Sequence, residues 1–191
     1  MSMLCSIHRI TPEQAARLEQ YPDAIGDLLG CTQPPHKPGF LSRLFGKAPV
    51  TPPAPQKLEP IAAMDTFELD QAWHILHFLF SGGNAEGPWP AAFLMSGGEE
   101  IGPDRGYGPV RLFSPALSRD VAAFLDALSF KALEAAYIPD EIEATEIYWR
   151  ASSEPRERQR QVEELWDRVT TLQAFFGATV QAGNATLVSI Y

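Results

Sequence analysis

Cysteine, basic side chains and long apolar runs are all scarce in this sequence of 191 residues. Its two cysteines, Cys5 and Cys31, give neither a disulfide framework nor the spacing of a zinc site. No stretch approaches the roughly 20 apolar residues that a membrane-spanning helix needs. Lys and Arg number 15 against 24 Asp and Glu, which gives a formal net charge of −9. Because phosphate groups attract basic side chains, this balance argues against nucleic acids and membranes as partners.

The opening residues, MSMLCSIHRI, have neither the basic start nor the long apolar stretch of a signal peptide, and we therefore expect a cytoplasmic protein. What the sequence does contain is ordinary for a globular chain, with 45% hydrophobic and 20% charged residues. A chain of this length suits one domain and folds without disulfides or metals. Its acidic surface favours basic partners.

Two terminal strands frame the predicted fold. Residues 3–10 are expected to form a strand covered on both faces, with Cys5 as a small core residue. Thr11, Pro12 and Gln14 then make a capping box that starts a helix. The last strand is expected at 185–191, and we predict that it pairs with the first.

The centre of the domain is predicted to be a buried helix. It is expected to run from about Thr66 to Phe80 and to end at Gly82, and from Leu69 onwards it is almost continuously apolar. A short strand is predicted at 92–95.

Helices dominate the second half of the sequence. One is predicted from Asp140 to Ile147, and the longest from Pro155 to Gln181. Few strands and many helices predict an α+β fold, a single mixed domain over residues 1–191 with several helices packed on a small sheet that includes both chain termini.

Residues 31–60 form an irregular, proline-rich insertion in this domain. Eight prolines exclude a regular helix or a central strand there. The insertion contains a short apolar piece, Phe40–Phe45. It is interpreted either as a surface excursion with this piece tucked into a groove, or as a docking or lid segment.

Segments spread over most of the chain resemble one protein family. The matching segments are Met3–Ile10, Leu69–His77 with Gly82, Gly106–Arg111 running into Ser114 and Pro115, Glu146–Tyr148, and Gly183–Ala185. Together they resemble the YfbM-like family of bacterial proteins, small cytosolic domains of unknown function. The resemblance implies a mixed α+β fold and a bacterial, cytosolic origin, and it implies no mechanism. It departs most at residues 31–60.

Three polar side chains lie on the otherwise apolar central helix. Asp70, His74 and His77 follow one another at i, i+4 and i+7, which puts them on one narrow stripe of a helix. Asp70 is then placed to orient His74, and the three are candidates for a divalent metal site or a general base. Two helical histidines are too few for a closed metal site, so the alternative is a structural stripe with satisfied hydrogen bonds.

A second group of candidates surrounds the glycine-rich segment from Gly97 to Gly108. This segment lacks the Lys and Ser/Thr of a phosphate-binding loop, and we expect no cofactor. His77, Tyr107, Arg111 and Glu146 are the candidate catalytic residues. Arg111 lies in an apolar stretch and would need a carboxylate partner if buried, and Glu146 is the proposed one.

Two functions from different classes stay open on the sequence alone. The first is an interaction or regulatory module, of immunity type for example, that binds another protein. The second is a small-molecule enzyme or binder with its pocket near His77, Tyr107, Arg111 and Glu146. A deep pocket lined by these four side chains favours the second, and their burial in a packed core favours the first.

Overall fold

The computed structural model describes residues 3–30, 57–104 and 106–191. Five strands in these ranges form one antiparallel sheet in the order β2–β1–β5–β4–β3. The strands are β1 (Cys5–Ile10), β2 (Thr66–Asp70), β3 (Glu99–Ile101), β4 (Val110–Phe113) and β5 (Ala185–Ile190). Strands β1 and β5 pair along their full length, with Ile7 opposite Val188, which confirms that both ends of the chain share one sheet.

Seven α-helices are found in the same described ranges. They are α1 (Pro12–Gln20), α2 (Ile25–Leu28), α3 (Ala72–Ser81), α4 (Pro115–Asp126), α5 (Phe130–Ala136), α6 (Pro139–Ala144) and α7 (Pro155–Gln181). Helix α1 begins as its sequence predicts. The Thr11 hydroxyl accepts from the Gln14 amide N–H, and the Gln14 side chain accepts from the Thr11 N–H.

Both faces of the sheet are covered, and this explains why the alternation in β1 is imperfect. Cys5 and Ile7 of β1 belong to a large core that is shared with α3, α4 and α7. Ile10, at the end of the same strand, belongs to a smaller core on the other face, built with α1 and α2. The predicted fold class, a single mixed α+β domain, is confirmed.

The central helix begins later than its sequence predicts. Residues Thr66–Asp70 are strand β2, and helix α3 starts only at Ala72. Tertiary pairing overrides the helical period here, because β2 lies beside β1 with Phe67 opposite Ile7. Asp70 then turns the chain with φ of +49°, a conformation that a helix interior does not admit. The end at Gly82 is as predicted, in the left-handed conformation.

Two further expectations are corrected. Residues 92–95 form successive turns in place of a strand, and the Ala92 N–H donates to the Pro88 carbonyl. Helix α6 ends at Ala144, three residues before Ile147, and Glu146 follows with φ of +55°.

The insertion at 31–60 falls mainly outside the described residues, and so does the Phe40–Phe45 piece. Within the described ranges, no helix is long and apolar enough to cross a membrane.

Candidate functional site

The four candidate catalytic residues occupy different settings. His77 is wholly buried in α3, and Arg111 lies in the middle of β4 on the same side of the sheet. Tyr107 is exposed in the turn before β4, and Glu146 is exposed in the turn after α6. Three concave sites whose lining lies within the described residues contain none of the four. The structure therefore brings His77 near Arg111 and leaves the other two at separate turns.

Arg111 is held by backbone carbonyls. Its guanidinium donates to the carbonyl oxygens of Phe93, Leu94 and Ser96, at 2.9, 2.6 and 2.8 Å. The expected ion pair with Glu146 is not found among the described residues. Burial lowers the pKa of Arg111 to about 10, which leaves the side chain charged at neutral pH. Arg111 therefore holds the turn at residues 93–96 in place against β4.

His77 has one ring nitrogen without a hydrogen-bond partner. The Ser81 hydroxyl donates to the His77 backbone carbonyl at 2.8 Å, so the 3.3 Å contact between the ring Nε2 and the same hydroxyl has the ring as donor. Nδ1 is then a bare acceptor, and it is the one buried side-chain nitrogen or oxygen in the described residues without a partner. Burial lowers the pKa of His77 to about 4, and the electrostatic effects of His74 and Arg111 act in the same direction. The ring is neutral at physiological pH.

His74 connects α3 to two other segments. Its Nδ1 accepts from the backbone N–H of Tyr148 at 3.2 Å, which places the ring proton on Nε2. Nε2 then donates to the backbone and side-chain oxygens of Asn84, at 3.2 and 3.0 Å. The ring stacks on Trp73 with centroids 4.6 Å apart. Both nitrogens are therefore occupied by structural contacts.

Asp70 does not orient His74. It lies in β2, outside the helix, and its side chain is 65% exposed with the nearest cation, Arg168, 4.0 Å away. The i, i+4 relation that was expected to join it to His74 requires a helix that starts before residue 70. Among the described residues, no group of three or more His, Cys, Asp or Glu side chains is arranged to hold a metal ion.

A groove opens beside the N-terminal end of α3. It is lined by Gln71 and by the segment from Ile147 to Arg150, and its volume is about 450 Å³. The Trp149 N–H donates to the Ile147 carbonyl at 2.8 Å, which makes Tyr148 the apex of a three-residue turn. Tyr148 is 43% exposed, and its ring leans on His74 with centroids 5.6 Å apart. We call this feature the Tyr148 groove.

The wall of the Tyr148 groove is fixed from behind by side chains. The Trp149 indole donates to the Tyr137 hydroxyl at 3.0 Å, and that hydroxyl donates to the Gln161 side-chain oxygen at 2.5 Å. The Gln161 amide group donates to the Arg150 carbonyl, and its oxygen also accepts from the Ser152 N–H, both at 3.0 Å. The segment is irregular in backbone and nevertheless well fixed.

Strained backbone flanks the groove on both sides. Asp70 and Glu146 are the two non-glycine residues of the described chain with positive φ. Each directly precedes a residue that lines the groove, Gln71 in one case and Ile147 in the other. Such conformations cost roughly 1–3 kcal/mol and persist where the surroundings impose them, which is common at functional sites.

Comparison with known proteins places the chain in a family. The family model described as "Domain of unknown function (DUF1877)" matches residues 1–189. The chain belongs to this family. A solved structure of another protein of unknown function, YfbM from Escherichia coli, matches the DUF1877 chain with a TM-score of 0.66. The identity is 16%, and the match covers 98% of this chain and 99% of that one. No curated protein matches the sequence.

These findings confirm the resemblance to YfbM-like domains and the α+β fold of the DUF1877 chain. At 16% identity, the solved structure supports only the fold. The groove residues Gln71, Tyr148, Trp149 and Arg150 were missed as functional candidates at the level of sequence. One signal was present: the stretch 146–150 reads Glu-Ile-Tyr-Trp-Arg, with two aromatic side chains between helices where no amphipathic period accounts for them.

Proposed function

We propose that this chain is a protein-interaction module of regulatory type, and that its contact surface is the Tyr148 groove. The observation that carries the proposal is the fixed aromatic wall of the groove. Tyr148 is exposed, while the side chain of its neighbour Trp149 is held from behind by a hydrogen bond to Tyr137. A rigid surface with exposed aromatic side chains binds protein partners at low entropic cost.

The flanking charges add to this argument. Glu146 precedes the apex at Tyr148 by two residues, and Arg150 follows it by two. Both signs are thus present beside an apolar centre, the arrangement of a polar rim around an interface core. The chain as a whole has a net charge of −9, so long-range attraction favours basic partners while the rim charges set the register.

The alternative is a small-molecule enzyme or binder near His77, Tyr107, Arg111 and Glu146, and it has less support. Two of its members are at separate exposed turns. Arg111 donates three hydrogen bonds to backbone carbonyls, and His77 is shielded from solvent. An enzyme site needs its acid, base and charged groups converging on one accessible cavity.

A photo-crosslinking residue in place of Tyr148 tests the interaction proposal. The matched control carries the same residue at Tyr107, a tyrosine that is 47% exposed against 43% for Tyr148. On irradiation in the cells that produce the protein, we expect a covalent protein adduct from position 148 and none from position 107. Equal or absent crosslinking at the two positions would overturn the proposal, and the mass of any adduct reports whether the partner is a second copy or another protein.

A further inference from the structure

The exposed wall of the Tyr148 groove has a charge order that is its own complement. From 146 to 150 the sequence reads acid, apolar, aromatic apex, apolar, base. A two-fold axis through Tyr148 pairs residue 146 of one copy with residue 150 of another, so Glu146 faces Arg150 twice. Two-fold interfaces of identical chains require this kind of self-complementarity.

We propose that the partner that occupies the Tyr148 groove is a second copy of this chain, related by a two-fold axis near Tyr148. The inference rests on the proposed function, since it names the partner of the same surface. The apex turn supports it, because the bond between Trp149 and Ile147 folds a three-residue turn around Tyr148, which is 43% exposed.

The charges in this pairing are free to engage a partner. Neither Glu146 nor Arg150 forms an ion pair with another side chain in the described part of the chain. Both are exposed.

Net charge opposes self-association, and distance decides which effect dominates. Two copies at −9 each repel one another. At physiological ionic strength the screening length is about 8 Å, so charges spread over the two surfaces are largely screened while pairs in contact are not. The long-range repulsion is therefore weak under these conditions, and we expect a dimer that forms only at high protein concentration.

Charge reversal at the two positions tests the proposal by sedimentation over a range of protein concentrations. Arg150→Glu places two carboxylates together, Glu146→Lys places two cations together, and each variant alone is expected to dissociate the dimer. The dissociation constant should rise at least about tenfold, equivalent to about 1.4 kcal/mol. Mixing the two variants restores both pairs and should give a heterodimer, and the double variant should associate with itself. Arg156→Glu and Glu86→Lys, on exposed residues elsewhere, serve as matched controls.

Two results would overturn this inference. One is a wild-type chain that stays monomeric up to about 1 mM, a concentration at which even weak specific contacts form. The other is a mixture of Arg150→Glu and Glu146→Lys that associates no better than either variant alone. A crosslinked adduct from position 148 with a different protein, together with a monomeric chain, would remove the second-copy proposal and leave the interaction function standing. No adduct at all would remove the interaction function as well.

Discussion

A histidine enclosed as completely as His77 keeps a neutral ring because the interior does not hydrate its cation. The pKa of His77 is lowered to about 4, against about 6.5 for an ordinary histidine. One ring nitrogen lacks a partner, so the polar character of the residue adds nothing to stability at that atom. Burial therefore makes this candidate base a residue that destabilises the folded state as the pH falls.

Replacing His77 by Leu should flatten the dependence of stability on pH. Between about pH 6.5 and pH 4 the unfolded state binds a proton at this residue and the folded state does not, so wild-type stability falls as pH decreases through that window. The contribution is about 2–3 kcal/mol. Urea unfolding at pH 7 and pH 4.5 measures it, and His77→Leu should lose less stability between them by about that amount. An unchanged difference between the two pH values would contradict the assignment.

Arg111 illustrates the opposite case, a buried charge held by three backbone carbonyls. Arg111→Met leaves the carbonyls of Phe93, Leu94 and Ser96 without their donor and should cost about 3 kcal/mol or more. Arg111→Lys should fall between Met and wild type, because an ammonium group cannot reproduce the planar fork of a guanidinium. Chemical denaturation of the three proteins measures the order. A Met variant as stable as the wild type would show that these contacts carry no net stability.

Among the elements, the segment between α6 and α7 stores strain that can be released at one position. Glu146 has φ of +55°, which glycine adopts freely. Glu146→Gly should therefore stabilise the fold by up to about 1 kcal/mol, and Glu146→Ala should not. Both variants lose the carboxylate, so both should weaken self-association equally. Equal stability of Gly and Ala at this position would mean that the backbone there is unstrained.

The elements also show what sequence can and cannot predict. The Thr11 capping box and the long helix α7 were predictable because their signals are local. The start of α3 was not, since the apolar residues of 66–70 fit a helix and a buried strand equally well until β1 pairs with them. The groove was not predictable either. His74 and Tyr148 are 74 positions apart, and the bond between them leaves no periodic trace in the sequence.

For the whole molecule, the position of the end strands matters more than any one side chain. Strand β5 lies at the centre of the sheet, between β1 and β4. The backbones of Leu4 and Tyr191 donate to one another at 2.9 and 3.0 Å, so the two ends of the sheet's central pair lie side by side. The fold thus depends on contacts between the first and last residues, which carry the largest sequence separation in the chain.

Deleting strand β5 and relocating the chain ends should therefore have opposite effects on cooperative folding. Deleting residues 185–191 separates β1–β2 from β3–β4, and we expect the loss of cooperative thermal unfolding. A circular permutant that joins the ends through a short Gly-Ser linker and opens the chain between Pro103 and Asp104, both exposed, keeps every strand pair. It should unfold cooperatively and lose no more than about 2 kcal/mol, since loop closure costs little at this separation. Circular dichroism against temperature compares the two.

A truncated chain that still unfolds cooperatively would show that β5 is dispensable. A permutant that fails to fold would show that the order of synthesis, beyond the final contacts, determines this sheet.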